Sequence, residues 1–100
     1  GSAYLYGTVA HDKKSAIFTY MQLDTANDFG PAPITLDGLD PSKQYHVSIV
    51  EELSSHDFIQ KSAPGWWPQI NITGDVLATV GLQLPVMRPD TGLLIHISAL

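Results

Sequence analysis

The sequence predicts an all-β domain, an antiparallel β-sandwich of Greek-key type with about seven or eight short strands. Three observations carry this prediction. Apolar residues alternate with polar ones along most of the chain, and a period of two is that of a half-buried strand. Clusters of Gly, Pro, Asn and Asp separate these runs at short intervals. The 3.6-residue spacing of an amphipathic helix is not found, so no helix is expected.

The first two strands are predicted at residues 4–10 and 16–23, as a hairpin across the polar turn at 12–15. The second strand is apolar on both faces: one carries Ile17, Thr19, Met21 and Leu23, and the other carries Ala16, Phe18 and Tyr20. A single sandwich core can contact only one of these faces. The other is expected to point outward and, with Tyr4 and Tyr6, to form an exposed apolar surface.

The remaining strands are predicted at residues 34–36, 44–52, 70–73 and 93–99, and residues 76–84 are ambiguous. Residues 24–33 and 53–68 have the composition of connecting loops.

One hundred residues are enough for a single domain with one core, and residues 4–100 are expected to form it. Gly1-Ser2-Ala3 resembles a cloning remnant, which would make the chain a piece of a longer protein. Charged residues are 15% of the chain, below the roughly 25% of a typical soluble domain. A domain that rests against a neighbour needs less surface charge than a free one.

Composition also excludes several classes of partner. A net charge of −5 with five scattered basic residues is unsuited to binding nucleic acid. No apolar run approaches the roughly 18 residues of a membrane span, and no charged start followed by an apolar run marks a signal peptide, so a cytoplasmic location is expected. Because the chain has no cysteine, disulfides and thiolate metal sites are excluded.

No catalytic, cofactor-binding or metal-binding residue is predicted. His11-Asp12 and His56-Asp57 are adjacent residues, whose side chains diverge on a strand, and both pairs are predicted to lie in exposed turns. Glu51-Glu52 end a strand and so are not placed to flank a sugar, as glycosidase carboxylates do. His46 and His96 lack the further ligands that a metal site needs.

The pair Trp66-Trp67 is a candidate for contact with a ligand or a neighbouring domain. Flat aromatic rings stack on sugars, and the flanking prolines stiffen the loop. Alternatively, one tryptophan caps the core and the other packs on a neighbouring domain. The candidate carbohydrate or domain-interface contacts are therefore Trp66, Trp67, Tyr4 and Tyr6.

Residues 36–47, LDGLDPSKQYHV, place two turn signals around a single leucine. Gly38 allows the backbone to bend, and Asp40-Pro41 starts the return turn. Leu39 is expected to plug the end of the sandwich. Tyr45 is expected to enter the core with its hydroxyl near the rim.

This segment resembles the C-terminal domain of the family 36 α-galactosidases, in which a short strand ends in Leu-x-Gly-Leu-Asp-Pro and a tyrosine opens the next strand. Three further segments resemble the same family, so that the resemblance spans about residues 4–100: HDKKSAIFTYMQL, TGDVLATVGLQLP and RPDTGLLIHI. The loop at 53–68 does not map onto the family pattern.

The resemblance implies a parent enzyme that releases α-linked galactose with retention, through two aspartates on a (β/α)₈ barrel outside this segment. The chain itself is then not an enzyme. Its expected role is to pack on the barrel and stabilise it, and weak homodimerisation of the isolated chain is expected through the outward strand face. Two alternatives stay open from the residues: a carbohydrate-binding module that uses Trp66, Trp67 and Tyr4 or Tyr6, and a sandwich module for protein adhesion.

Overall fold

The computed structural model of the chain describes residues 3–22, 33–52, 65–85 and 91–100. These residues form five strands and one helix: β1 (Ala3–Val9), β2 (Ser15–Gln22), β3 (Gln44–Glu52), β4 (Gln69–Thr73), α1 (Gly74–Thr79) and β5 (Thr91–Ala99). The strands make one antiparallel sheet in the order β1-β2-β5-β3-β4. The last strand therefore lies at the centre, between two hairpins.

The all-β antiparallel class is confirmed, but the predicted number of seven or eight strands is wrong for the described residues, which form five. The predicted strand at 34–36 contributes only a single bridge, between Ile34 and Leu82. Both paired segments adjoin a glycine with positive φ. Gly38, at +97°, follows the Ile34 segment, and Gly81, at +82°, directly precedes Leu82. These turns end the extended conformation before a longer ladder can form.

The expectation of no helix is also wrong, because α1 spans six residues, four of which (76–79) belong to the ambiguous segment. Thr73 caps its first turn, with Oγ1 accepting from the Val76 amide at 3.3 Å. Asp75 lies in the first turn, where the helix dipole favours a negative charge. Six residues are too few to display a 3.6-residue periodicity, so only the cap and the glycine at 81 marked this helix in the sequence.

The core lies between one face of the sheet and a covering layer made of residues 33–40 and 74–85. The sheet contributes Ala16, Phe18, Tyr20, Tyr45, Val47, Leu93, Ile95 and Ile97. The covering layer contributes Ile34, Leu36, Leu39, Leu77, Leu82 and Leu84. As expected, Leu39 is buried, with only 7% of its surface exposed.

Tyr45 fixes the covering layer to the sheet through its hydroxyl group. The side chain is fully buried. Its hydroxyl donates to the Lys13 carbonyl oxygen at 2.7 Å and accepts from the Asp40 amide at 2.9 Å. One side chain of β3 thus joins the β1–β2 turn to the turn at 38–42.

Helix α1 begins directly on that second turn. The Gly74 amide donates to the Lys43 carbonyl at 3.0 Å, and the Asp75 amide donates to the Pro41 carbonyl at 3.2 Å. A Cβ atom at residue 74 would overlap the Asp40 carbonyl oxygen. Glycine at this position therefore allows the helix and the turn to approach closely.

We expect Tyr45→Phe to lower the free energy of unfolding by about 1–3 kcal/mol, because it removes two partly buried hydrogen bonds, to the Lys13 carbonyl and from the Asp40 amide. The matched control is Tyr6→Phe, since Tyr6 is 65% exposed; its effect should stay within about 0.5 kcal/mol. Urea unfolding of the three proteins measures both. Equal effects of the two substitutions would contradict the stabilising role of the Tyr45 hydroxyl.

The turn at 40–43 also predicts a dependence of stability on pH. The Ser42 hydroxyl and the Ser42 amide both donate to Asp40 Oδ1, at 2.7 and 2.9 Å, and these bonds lower the pKa of Asp40. Because the pKa of Asp40 is lower in the folded state than in the unfolded state, the ionised carboxylate stabilises the fold at pH values above the unfolded-state pKa. This stabilisation is lost as the pH falls through the folded-state pKa.

Asp40→Asn removes the charge and retains an acceptor oxygen. We therefore expect the wild type to have the higher urea midpoint at about pH 7 and to lose this advantage by about pH 2. A difference in midpoint that is constant over this range would show that the charge of Asp40 does not stabilise the turn.

Candidate contact surface on the outer face of the sheet

The face of the sheet opposite the core, here called the outer face, is built by the alternate residues of each strand. On β2, Ala16, Phe18 and Tyr20 are buried, so Ile17, Thr19 and Met21 point to the other side. The pairing of β1 with β2 sets Tyr4 opposite Met21 and Tyr6 opposite Thr19. The face of β2 that carries Ala16, Phe18 and Tyr20 therefore points to the core, and the face that carries Ile17, Thr19 and Met21 points outward. Leu23, which was predicted on the second face, lies outside the described residues.

The part of the outer face on β1, β2 and β5, here called the outer patch, consists of Tyr4, Tyr6, Thr8, Ile17, Thr19, Met21, Leu94 and His96. Three of its large side chains are openly exposed, Tyr4 by 61%, Tyr6 by 65% and Ile17 by 49%, whereas Met21 and Leu94 are half-buried. No Lys, Arg, Asp or Glu belongs to the patch. Its polar atoms are hydroxyls and one imidazole, so it is suited to contact an apolar or neutral surface.

An open groove of about 450 Å³ crosses the patch, with Tyr6, Thr8, Ile17, Thr19 and His96 along it. His96 lies opposite Ile17 in the pairing of β2 with β5. The alternation of β5 placed His96 off the core face. Its proximity to the β1–β2 hairpin had no signal in the sequence, because the two segments are far apart in the chain.

On β3 and β4 the exposed residues are mostly polar, although Val50 of β3 is also exposed. His46 Nδ1 shares a hydrogen bond of 2.7 Å with Asn71 Oδ1 on the neighbouring strand. Among the residues that the structure describes, no three His, Cys, Asp or Glu side chains come together as a metal site would require.

Trp66 and Trp67 pack against the core rather than on the outer patch. Their ring centroids are 5.4 Å apart with the planes tilted by 57°. Trp66 Nε1 donates to the Gln83 carbonyl at 2.8 Å, and the Ile49 amide donates to the Pro68 carbonyl at 2.9 Å. The loop is therefore held to both the covering layer and β3.

The four aromatic residues predicted as contacts do not form one site. Tyr4 and Tyr6 lie on β1, at one edge of the sheet, whereas the tryptophans immediately precede β4, at the other edge. A single aromatic platform for a sugar would require them to share a face.

The candidate polar pairs serve turns or lie outside the described residues. His11 and Asp12 are exposed in the β1–β2 turn, where Asp12 Oδ1 accepts from the Lys14 amide at 2.9 Å. His56-Asp57 lies outside the described residues, as do the side chains of Glu51 and Glu52.

No helix among the described residues is long and apolar enough to cross a membrane.

The buried pair Tyr20 and Gln22 has a structural explanation. The Tyr20 hydroxyl donates to Gln22 Oε1 at 2.8 Å, and burial raises the pKa of Tyr20. The phenol therefore stays neutral and pairs a buried amide oxygen, as buried polar groups require.

Comparison with known proteins supports the resemblance found in the sequence. The model of the glycosyl hydrolase family 36 C-terminal domain matches residues 3–97. The α-galactosidase of Escherichia coli is 26% identical over 100 positions, which cover 94% of this chain and 14% of that protein.

The fold is similar to that of two solved enzymes from Geobacillus stearothermophilus. A variant of the GH36 α-galactosidase AgaA, in complex with raffinose, gives a TM-score of 0.71 at 18% identity. The GH36 α-galactosidase AgaB gives 0.68 at 20% identity. Each match covers all of this chain and 11% of the solved one. The chain thus spans a small fraction of the relatives that it matches.

The two faces of β2 predict opposite responses to a charge. Phe18→Lys places an ammonium group in the core and should cost at least about 3 kcal/mol, which is enough to unfold a marginally stable domain. Ile17→Lys, one residue away on the outer patch, should cost less than about 1 kcal/mol. Circular dichroism with thermal melts compares them. Unfolding by both substitutions would mean that the outer patch is enclosed within this domain.

Proposed function

Because the chain belongs to the glycosyl hydrolase family 36 C-terminal domains, we propose that it is the non-catalytic accessory domain of an α-galactosidase-like hydrolase. In this role it packs on the catalytic (β/α)₈ barrel of the parent protein and stabilises it. The observation that carries the proposal is the family match over residues 3–97.

The lengths of the relatives support an accessory role. The chain corresponds to 14% of the E. coli α-galactosidase and to 11% of each solved enzyme. In proteins of that length, most of the chain lies outside the matched segment and has room for a separate catalytic domain.

Three of the described acidic side chains support the same role, because each has a structural function in a turn or a helix. Asp12 and Asp40 each accept an amide hydrogen bond within a turn, and Asp75 lies in the first turn of α1. Asp37 is exposed beside Gly38. A retaining glycosidase instead holds two carboxyl groups about 5 Å apart on either side of a bound sugar.

The isolated chain is expected to release no chromophore from a nitrophenyl α-galactoside, whereas the full-length parent protein is expected to do so. A parent protein that ends before β1 should lose its activity at a lower temperature than the full-length protein, because the accessory domain no longer covers the barrel. Thermal inactivation of the two proteins measures this difference.

Two results would contradict the proposal. The first is turnover by the purified chain that is lost when one of its acidic residues is replaced. The second is a truncated parent that is as active and as resistant to heat as the full-length protein.

A further inference from the structure

We infer that the outer patch is the surface through which this domain docks on the preceding catalytic domain of its parent chain. The inference rests on the proposed function and adds to it the side of the sheet that makes the contact. The Trp66-Trp67 loop and the covering layer then face away from this interface.

The chemistry of the outer patch fits a buried interface within a protein. Tyr4, Tyr6 and Ile17 expose more apolar surface than a solvated sheet face needs, and no Lys, Arg, Asp or Glu breaks it. Interface centres are depleted in charged residues and enriched in aromatic ones. The Tyr hydroxyls and the His96 imidazole can still form hydrogen bonds at the edge of such a contact.

Strand β1 gives a second and independent observation. It is one of the two edge strands of the described sheet, and residues 3–8 are exposed on both of its faces, including Leu5 at 37%. Its pairing with β2 runs without a bulge from Ala3 to Val9. Its sequence, AYLYGTV, has neither a charged residue nor a proline.

Natural proteins protect such an edge with charges, prolines or bulges, or cover it with another part of the molecule. Strand β1 has none of the first three. Within the described residues, β2 is its only strand partner. We therefore expect a neighbouring domain to cover β1.

Chain connectivity selects the occupant. The matched family is by description a C-terminal domain, and the chain matches 11–14% of its relatives. The catalytic part of such a protein therefore precedes this segment and leads into β1, beside Tyr4. A domain joined at that point is held next to the outer patch at a high effective concentration.

The size of the patch favours this occupant over a second copy. Three strands of about eight residues cover a projected area of roughly 400 Å². Contacts between domains of one chain bury roughly 600–1,500 Å² in total, about half from each side. A stable dimer of separate chains needs about 800 Å² from each partner, roughly twice what the patch offers.

The tryptophan loop is a poorer candidate for the docking surface. Both rings are partly buried against the core, and the Trp66 indole N–H is already paired with the Gln83 carbonyl. The surface that they offer is therefore smaller than their size suggests.

Single cysteines test the inference directly, because the chain has none of its own. Ile17→Cys places a thiol on the outer patch, and Val80→Cys places one after α1, on the covering layer. Both positions hold exposed β-branched residues, 49% and 66% accessible, so the variants form a matched pair. Each is made in the isolated chain and in the full-length parent, and maleimide labelling is followed by peptide mass spectrometry.

In the isolated chain both thiols should react at similar rates. In the full-length protein the Ile17→Cys thiol should react at least about tenfold more slowly than in the isolated chain, because labelling then requires the interface to open. The Val80→Cys thiol should react as before. Equal rates for Ile17→Cys in both proteins, or protection of Val80→Cys alone, would overturn the inference.

Protection of Ile17→Cys that appears in the isolated chain as its concentration rises would identify a second copy as the occupant, and would also overturn the inference. The labelling result is separate from the test of the proposed function. A full-length protein that protects Ile17→Cys, but whose heat resistance does not depend on this domain, would refute the stabilising role and support the docking surface. A full-length protein that leaves Ile17→Cys unprotected, but whose heat resistance depends on this domain, would refute the docking surface and support the stabilising role.

Discussion

The hydrogen bonds of the Tyr45 hydroxyl hold together three parts of the fold that are separate in sequence. The ring belongs to β3, the acceptor is the Lys13 carbonyl in the β1–β2 turn, and the donor is the Asp40 amide beside Leu39. Lys13 has φ of 59°, which costs a non-glycine residue of order 1–2 kcal/mol. The bond to Tyr45 offsets part of this cost and holds the carbonyl in place. Because α1 starts on the same turn as Asp40, the covering layer also depends on this contact.

The two faces of the sheet have different chemistry because of the period-two pattern of its strands. Residues of one parity meet the covering layer and form the core, and residues of the other parity stay accessible. On β3 and β4 the exposed side chains that the structure describes are Gln44, Gln69, Asn71 and Val50, so this half of the sheet is mostly polar. On β1 and β2 they are tyrosines and aliphatic residues, which indicates a second contact. The inferred docking surface therefore corresponds to the less polar half of this face.

Local chemistry made part of this structure predictable from the sequence. The first hairpin, the inward position of Tyr45 and the burial of Leu39 all follow from turn residues and alternation within a dozen positions. The position of β5 between β2 and β3 could not be predicted, because pairing between distant strands leaves no local signal. Helix α1 was missed since it is shorter than two turns. The separation of the tryptophans from the tyrosines depends on the same long-range order of strands, so the sequence could nominate these residues but not group them.

The central position of β5 has a consequence for synthesis on the ribosome. β1 pairs only with β2, and β4 only with β3, so the described sheet consists of two hairpins that β5 alone connects. The amides of Ala99 and Leu100 extend this connection to the Lys14 and Gln44 carbonyls. An emerging polypeptide therefore exposes two unjoined hairpins for on the order of seconds, until β5 leaves the exit tunnel. During that interval the covering layer, residues 33–40 and 74–85, is already made, but the sheet face against which it packs still lacks its central strand.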